Sequence, residues 1–211
     1  MFRSDTLFSR FMNVAFDVLF TGLLWLLCCI PVVTIGASST AAYYTMSKVV
    51  RHKTGYVHKE FFRSFKSNFK QSTQMGLVFT VCVAVIAVDV WYLWTNDNKL
   101  NSALFMIMML IAFIVVSLIT YFFPLLSRFD KTNLEMMKFA GIVAFHYLPI
   151  TIGIIIVFLV AVLGIYLMPW AVLVIPGIYL YFLSYPMEHI MRKLMPLVDE
   201  DSEEAQMWYY Q

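Results

Sequence analysis

The sequence predicts an all-α, polytopic membrane bundle of about six transmembrane helices, with both termini cytoplasmic and a cytoplasmic amphipathic helix. Three observations predict it. When the apolar stretches are drawn as spans, Lys and Arg fall almost entirely on one side. Of the 15, Arg3, Arg10, Lys48, Arg51, Lys53, Lys59, Arg63, Lys66, Lys70, Arg128, Lys131, Lys138, Arg192 and Lys193 share that side, and Lys99 alone lies opposite. Cytoplasmic loops keep their Lys and Arg, whereas translocated loops are depleted of them. Composition agrees: 61% apolar and 13% charged residues, against roughly half and a quarter in soluble domains. The apolar runs also approach the length of about 20 residues that a helical span needs.

The first span is placed at 14–33 and is dense in Leu and Phe. It exceeds a signal-peptide core and further spans follow, so it is read as retained. The second segment, 38–50, is short and rich in Ser, Thr, Ala and Tyr. Such a helix suits close packing against other helices better than contact with lipid. It either crosses as an inner helix or forms a re-entrant hairpin with the end of the first span. Four stronger spans follow at 75–94, 103–127, 139–163 and 169–191. Trp91, Tyr92, Trp94, Tyr166 and Trp170 gather near the outer boundary, where amphipathic aromatic rings settle. The connections there are short, which directs function to the membrane or its cytoplasmic side. Residues 1–198 form one membrane domain, and 199–211 form an acidic, aromatic-ended cytoplasmic tail.

A net charge of +2 is too small to argue for nucleic acid. Its one-sided distribution suits anionic inner-leaflet lipids. Cys28, Cys29 and Cys82 sit in apolar runs without disulfide or metal spacing and read as buried thiols. No metalloprotease, hydrolase or phosphate-loop motif is present, so the reading is non-enzymatic, with no cofactor.

The sharpest local signal is the stretch from Lys59 to Lys70. Phe62, Phe65 and Phe69 follow helical spacing, Phe61 flanks them, and Arg63, Lys66 and Lys70 lie to the other side. A basic, aromatic amphipathic helix lies in the membrane interface; the same face is a candidate partner contact. Arg128 to Phe139 is a weaker counterpart. Asp17, Asp89 and His146 are candidate intramembrane polar residues, since ionisable groups at that depth are costly. Glu188 and Arg192 are four apart and expected to pair along one helix. Pro31, Gly36 and Pro149 are candidate helix breaks, within Pro31-Val32-Val33-Thr34-Ile35-Gly36 and Pro149-Ile150-Thr151-Ile152-Gly153. Each loosens a helix and exposes carbonyls inside a bundle.

The run Pro31 to Gly36, then Ala41-Ala42-Tyr43-Tyr44, then Phe61 through Ser72 resembles the bacterial YesL-like family. His146-Tyr147-Leu148-Pro149-Ile150-Thr151 is similar to that family's fifth span. The resemblance covers essentially the whole chain. It implies a small multi-pass protein of the bacterial plasma membrane, from a family often encoded beside sugar-binding proteins and permeases of carbohydrate ABC importers. The implied role is an accessory subunit that binds the importer permeases, reaches the ATPase and solute-binding protein indirectly, and contacts membrane lipids. No catalytic or ligand residues come with it. The chain lacks the permease E-A-A…G docking loop and a Walker A motif, so it is neither ordinary permease nor motor. The alternative is an independent small-solute transporter or channel acting as a homo-oligomer, with Asp17, Asp89 and His146 along a polar path. A third reading is a scaffold or assembly factor.

Overall fold

The computed structural model describes residues 7–95 and 99–195. Arg3, the end of the proposed membrane domain and the tail 199–211 lie outside the described residues. Among those described, seven α-helices follow in order: α1 Leu7–Cys29, α2 Ile35–Thr45, α3 Val57–Thr95, α4 Lys99–Leu126, α5 Asn133–His146, α6 Leu148–Leu167 and α7 Ile175–Leu194. A 3₁₀ turn, Val32–Thr34, leads into α2, and a π-helical segment, Met46–Arg51, extends it. Four of the seven are long and apolar enough to cross a membrane: α1, α3, α4 and α6. The chain is a polytopic helical membrane protein.

The longest helix organises the rest. α3 has 39 residues, about 58 Å at 1.5 Å per residue, nearly twice the hydrocarbon thickness of about 30 Å. From Val57 to Met75 the sequence holds no Gly or Pro, so nothing separates the basic, aromatic stretch from the apolar span. The stretch expected as an interfacial helix is instead the first half of one continuous rod. That half carries α2 in antiparallel fashion: Lys48 meets Glu60 at 2.8 Å, and Gly36 meets Gly76 and Ser72. The second half carries α4, with Phe79 against Phe122 and Phe123 and Trp94 against Phe105.

α2 is the centre of the bundle. Gly36, Ala37, Ser38, Thr40, Ala41, Ala42, Tyr43 and Thr45 are all buried. Small side chains permit this: an added Cβ at Gly36 would collide with backbone of α3. The same device sets the α1–α7 crossing, where a Cβ on Gly22 would lie 2.8 Å from the Gly177 nitrogen. With 11 residues, about 16 Å of helix, α2 does not span a membrane on its own. Its start lies level with Gly76, where the apolar half of α3 begins, not with the C-terminal end of that helix. Phe61, Tyr121, Phe122, Leu125, Met136, Ala140, Met187, Ile190 and Met191, all fully buried, belong to the same core as α2. In contrast, the outer half of α3, the start of α4 and most of α6 present Val, Ile, Leu and Met outward, as helices facing hydrocarbon must.

The span expected at 139–163 is broken. α5 ends at His146, and Tyr147, with φ −105° and ψ 37°, leaves the helical region. Pro149 does not interrupt a helix; it stands in the first turn of α6, where its missing N–H costs nothing. α7, expected as a span, is apolar on its buried face but carries Glu188, His189, Arg192 and Lys193 in its last two turns.

Candidate functional site

The candidate site lies where the π-helical end of α2, the α4–α5 loop and α7 converge. Three contacts run antiparallel between α2 and α7. Tyr43 donates its hydroxyl to Met191 Sδ at 3.5 Å, Ser47 donates to Glu188 Oε2 at 2.6 Å, and Arg51 Nη1 donates to the Ser184 carbonyl at 2.6 Å. Residues 43, 47 and 51 are four apart and share a helix face; 184, 188 and 191, four and three apart, share one on α7. Short π-helical insertions are rare and often mark functional places. Here Met46–Arg51 turns Lys48 to α3 while Ser47 and Arg51 address α7.

Arg128 closes the cluster from the α4–α5 loop. Its Nη2 lies 2.6 Å from Glu188 Oε2 and 2.8 Å from Ser47 Oγ, and both charged side chains are 2% exposed. Glu188 Oε1 faces His52 Nε2 at 3.7 Å, beyond direct hydrogen-bond length. Burial pushes His52 below the usual histidine range; Glu188 opposes that shift, and Arg192, Arg128 and Arg51 reinforce it. A buried ion pair gains Coulomb energy that its desolvation largely offsets, but losing one partner leaves a stranded charge. The cluster therefore acts chiefly as a lock, binding three distant chain segments in one arrangement. Among the described residues, no three His, Cys, Asp or Glu side chains are grouped to hold a metal.

This placement corrects the pairing expected along α7: Glu188 bonds to Arg128 and Ser47, while Arg192 is exposed. Helical spacing permits an i,i+4 pair, but Glu188 is on the buried face and Arg192 is not. The signal for the true partner was weak. A carboxylate in an apolar helix demands a cation, and a loop Arg 60 residues away is invisible to periodicity.

The aromatic stretch divides between two faces. Phe61 is fully buried against the core, Phe65 is half-buried, and Phe62 and Phe69 are 45% and 41% exposed. Arg63, Lys66 and Lys70 are exposed beside them. Phe61 stacks on Phe65 with centroids 6.3 Å apart, and Phe65 meets Phe69 in a tilted contact at 5.4 Å. Asp17, on α1, and Asp89, on the outer half of α3, are half-buried; His146 is exposed at the end of α5, edge-on to Tyr147. No hydrogen bond or ion pair joins any two of these three.

Both Pro…Thr-Ile-Gly motifs sit at chain breaks, and the threonine ties the loosened carbonyls in each. Thr34 Oγ1 lies 2.6 Å from the Cys28 carbonyl and 2.7 Å from that of Pro31. Thr151 Oγ1 lies 3.0 Å from the Ala144 carbonyl and 3.1 Å from that of Tyr147, and meets the Tyr121 hydroxyl at 2.9 Å.

Fold and cluster together define a polytopic helical membrane protein locked at one end by a buried ion pair. Residues 18–90 match the family model described as "Protein of unknown function, DUF624". That range runs from mid-α1 to the outer part of α3; it takes in Ser47 and His52 but neither Arg128 nor Glu188. The chain is also 29% identical over 147 residues to the uncharacterized protein YteU of Bacillus subtilis strain 168, covering 68% of this chain and 66% of that protein. No solved structure matches.

Proposed function

We propose that this chain is a non-enzymatic accessory subunit of a carbohydrate ABC importer, binding the permease subunits and stabilising or modulating them. The family context comes from the YesL-like resemblance of its motifs. The structural observation that supports it is the first half of α3. α2 holds that rod from one side through Gly36–Gly76 and Lys48–Glu60, leaving Phe62, Arg63, Lys66, Phe69 and Lys70 exposed on another. Phe62, Phe69 and Arg63 are of the residue types enriched at partner-binding surfaces, and Lys66 and Lys70 suit the polar rim of such a face. Rigidity also lowers the ordering cost of association.

In this reading the protein lies in a bacterial plasma membrane with cytoplasmic termini, α1, α3, α4 and α6 supplying the helices long enough to cross. α1 and α2 form a hairpin that leaves and returns to one face, so Lys48 through Lys70 stay on the side of the N-terminus however deep the hairpin reaches. The test is affinity purification from native membranes in mild detergent, with copurifying proteins identified by mass spectrometry. Stoichiometric permeases, lost on Phe62→Ala/Phe69→Ala substitution, are the expected result. Recovery of the chain alone as a defined homo-oligomer, with the cognate permease expressed, overturns it in favour of an independent transporter.

A further inference from the structure

α6 and α7 pack side by side, meeting where the Phe158 and Tyr179 rings touch with centroids 5.7 Å apart, and part beyond that contact. A groove of about 540 Å³ separates them, lined by Ile150, Gly153 and Val157 of α6 and by Tyr179, Phe182 and Tyr185 of α7. That volume lies within the roughly 300–1,000 Å³ of small-molecule sites. The groove opens sideways, because Val157, Phe182 and Tyr185 are themselves exposed. Gly153 supplies its space: a Cβ there would have no atom within 4 Å. α6 is apolar enough to cross a membrane, an arrangement in which the open side of the groove would face hydrocarbon.

One end of the groove is charged. The Arg51 guanidinium stacks on the Tyr185 ring, 4.3 Å from its centroid, and Nη1 is held by the Ser184 carbonyl at 2.6 Å. Both contacts fix a half-exposed cation whose remaining N–H donors form a rigid fork suited to phosphate. Lys53 is exposed two residues from Arg51, Arg192 lies close enough to act on the neighbouring His52, and Glu188 is engaged with Arg128. The local balance is positive, and the side on which Arg51 lies is the one that faces anionic lipid.

We propose that the α6–α7 groove is a phospholipid site, taking an acyl chain beside Gly153 and an anionic headgroup phosphate at Arg51. The proposal rests on the groove and its cation and is independent of the importer reading. Native mass spectrometry of the full chain in detergent tests it, titrating phosphatidylglycerol against phosphatidylcholine with the same acyl chains. One phosphatidylglycerol per chain is expected, favoured by roughly tenfold, the equivalent of about 1.4 kcal/mol. Arg51→Gln should abolish the headgroup preference. Gly153→Leu should weaken both lipids without lowering the melting temperature, because its side chain enters open space. Glycerophosphate, which lacks acyl chains, should not compete. Equal retention of both lipids by the unmodified chain overturns the proposal, as does undiminished phosphatidylglycerol binding in both variants. Displacement by glycerophosphate would reveal a free-phosphate site instead, and a lipid-free dimer would assign the groove to a second copy.

Discussion

Ser47 and Glu188, 141 residues apart, share a 2.6 Å hydrogen bond at the point where Arg128 also reaches the same carboxylate oxygen. Three segments, the end of α2, the α4–α5 loop and α7, thus meet on one atom. The arrangement makes that end of the bundle depend on a buried, charge-assisted contact.

Breaking this contact from one side should be severe. Arg128→Met or Glu188→Leu alone leaves a buried, uncompensated charge, a loss of about 3–5 kcal/mol. The double variant Arg128→Met/Glu188→Leu removes both charges and should recover most of it. Thermal unfolding in detergent would show this as two low melting temperatures and one near that of the unmodified chain. Three equal melting temperatures would mean that the pair contributes nothing.

Acidification should loosen the same end. His52 favours its neutral form in the fold, chiefly through burial, so the unfolded chain takes up the proton first. Stability from this source is fully present above the ordinary histidine pKa of about 6.5 and is lost as pH falls toward the lower folded value. The melting temperature should drop between pH 7.5 and 5.5, and His52→Gln should flatten that slope. An unchanged slope in the variant would remove His52 from the account.

Two glycines on different helices should respond oppositely to Ala. At Gly36 the new methyl meets α3 backbone, an overpacking cost of about 1–3 kcal/mol. At Gly153 it meets open space, and helix propensity predicts a gain of about 0.5–1 kcal/mol. Parallel denaturation of Gly36→Ala and Gly153→Ala decides the matter, and similar effects from both would contradict the packing described.

Thr151→Val keeps the shape of the side chain but strips the hydroxyl that serves the α5–α6 break. The Ala144 carbonyl and the Tyr121 hydroxyl each lose a partner, while the Tyr147 carbonyl keeps the backbone N–H of residue 151, at about 1–3 kcal/mol for buried groups left unmade. Hydrogen exchange around residues 144–151 should accelerate, while the α1–α2 turn, held separately by Thr34, stays unchanged. Acceleration at both breaks would point to general loosening.

The sequence by itself determined that this is an all-helical, multi-pass membrane chain, because hydrophobic length and composition are local properties that lipid reads segment by segment. Of the expected breaks, Pro31 lies between α1 and α2, whereas Gly36 stands inside α2 and Pro149 in the first turn of α6, two residues after the break at Tyr147; the small-residue character of α2 already marked a helix made for packing. The sequence did not show that the basic aromatic stretch and the third span are one helix. Two separate elements and one long rod have the same periodicity, and only the docking of α2 and α4 on successive halves distinguishes them. It also misassigned the partner of Glu188. Spacing along α7 offers Arg192 as readily as burial excludes it, and the choice of Arg128 is made by the packing that brings the α4–α5 loop under α7. Long-range electrostatics and shape complementarity are properties of surfaces brought together, so the lock and the α6–α7 groove exist only in the tertiary structure.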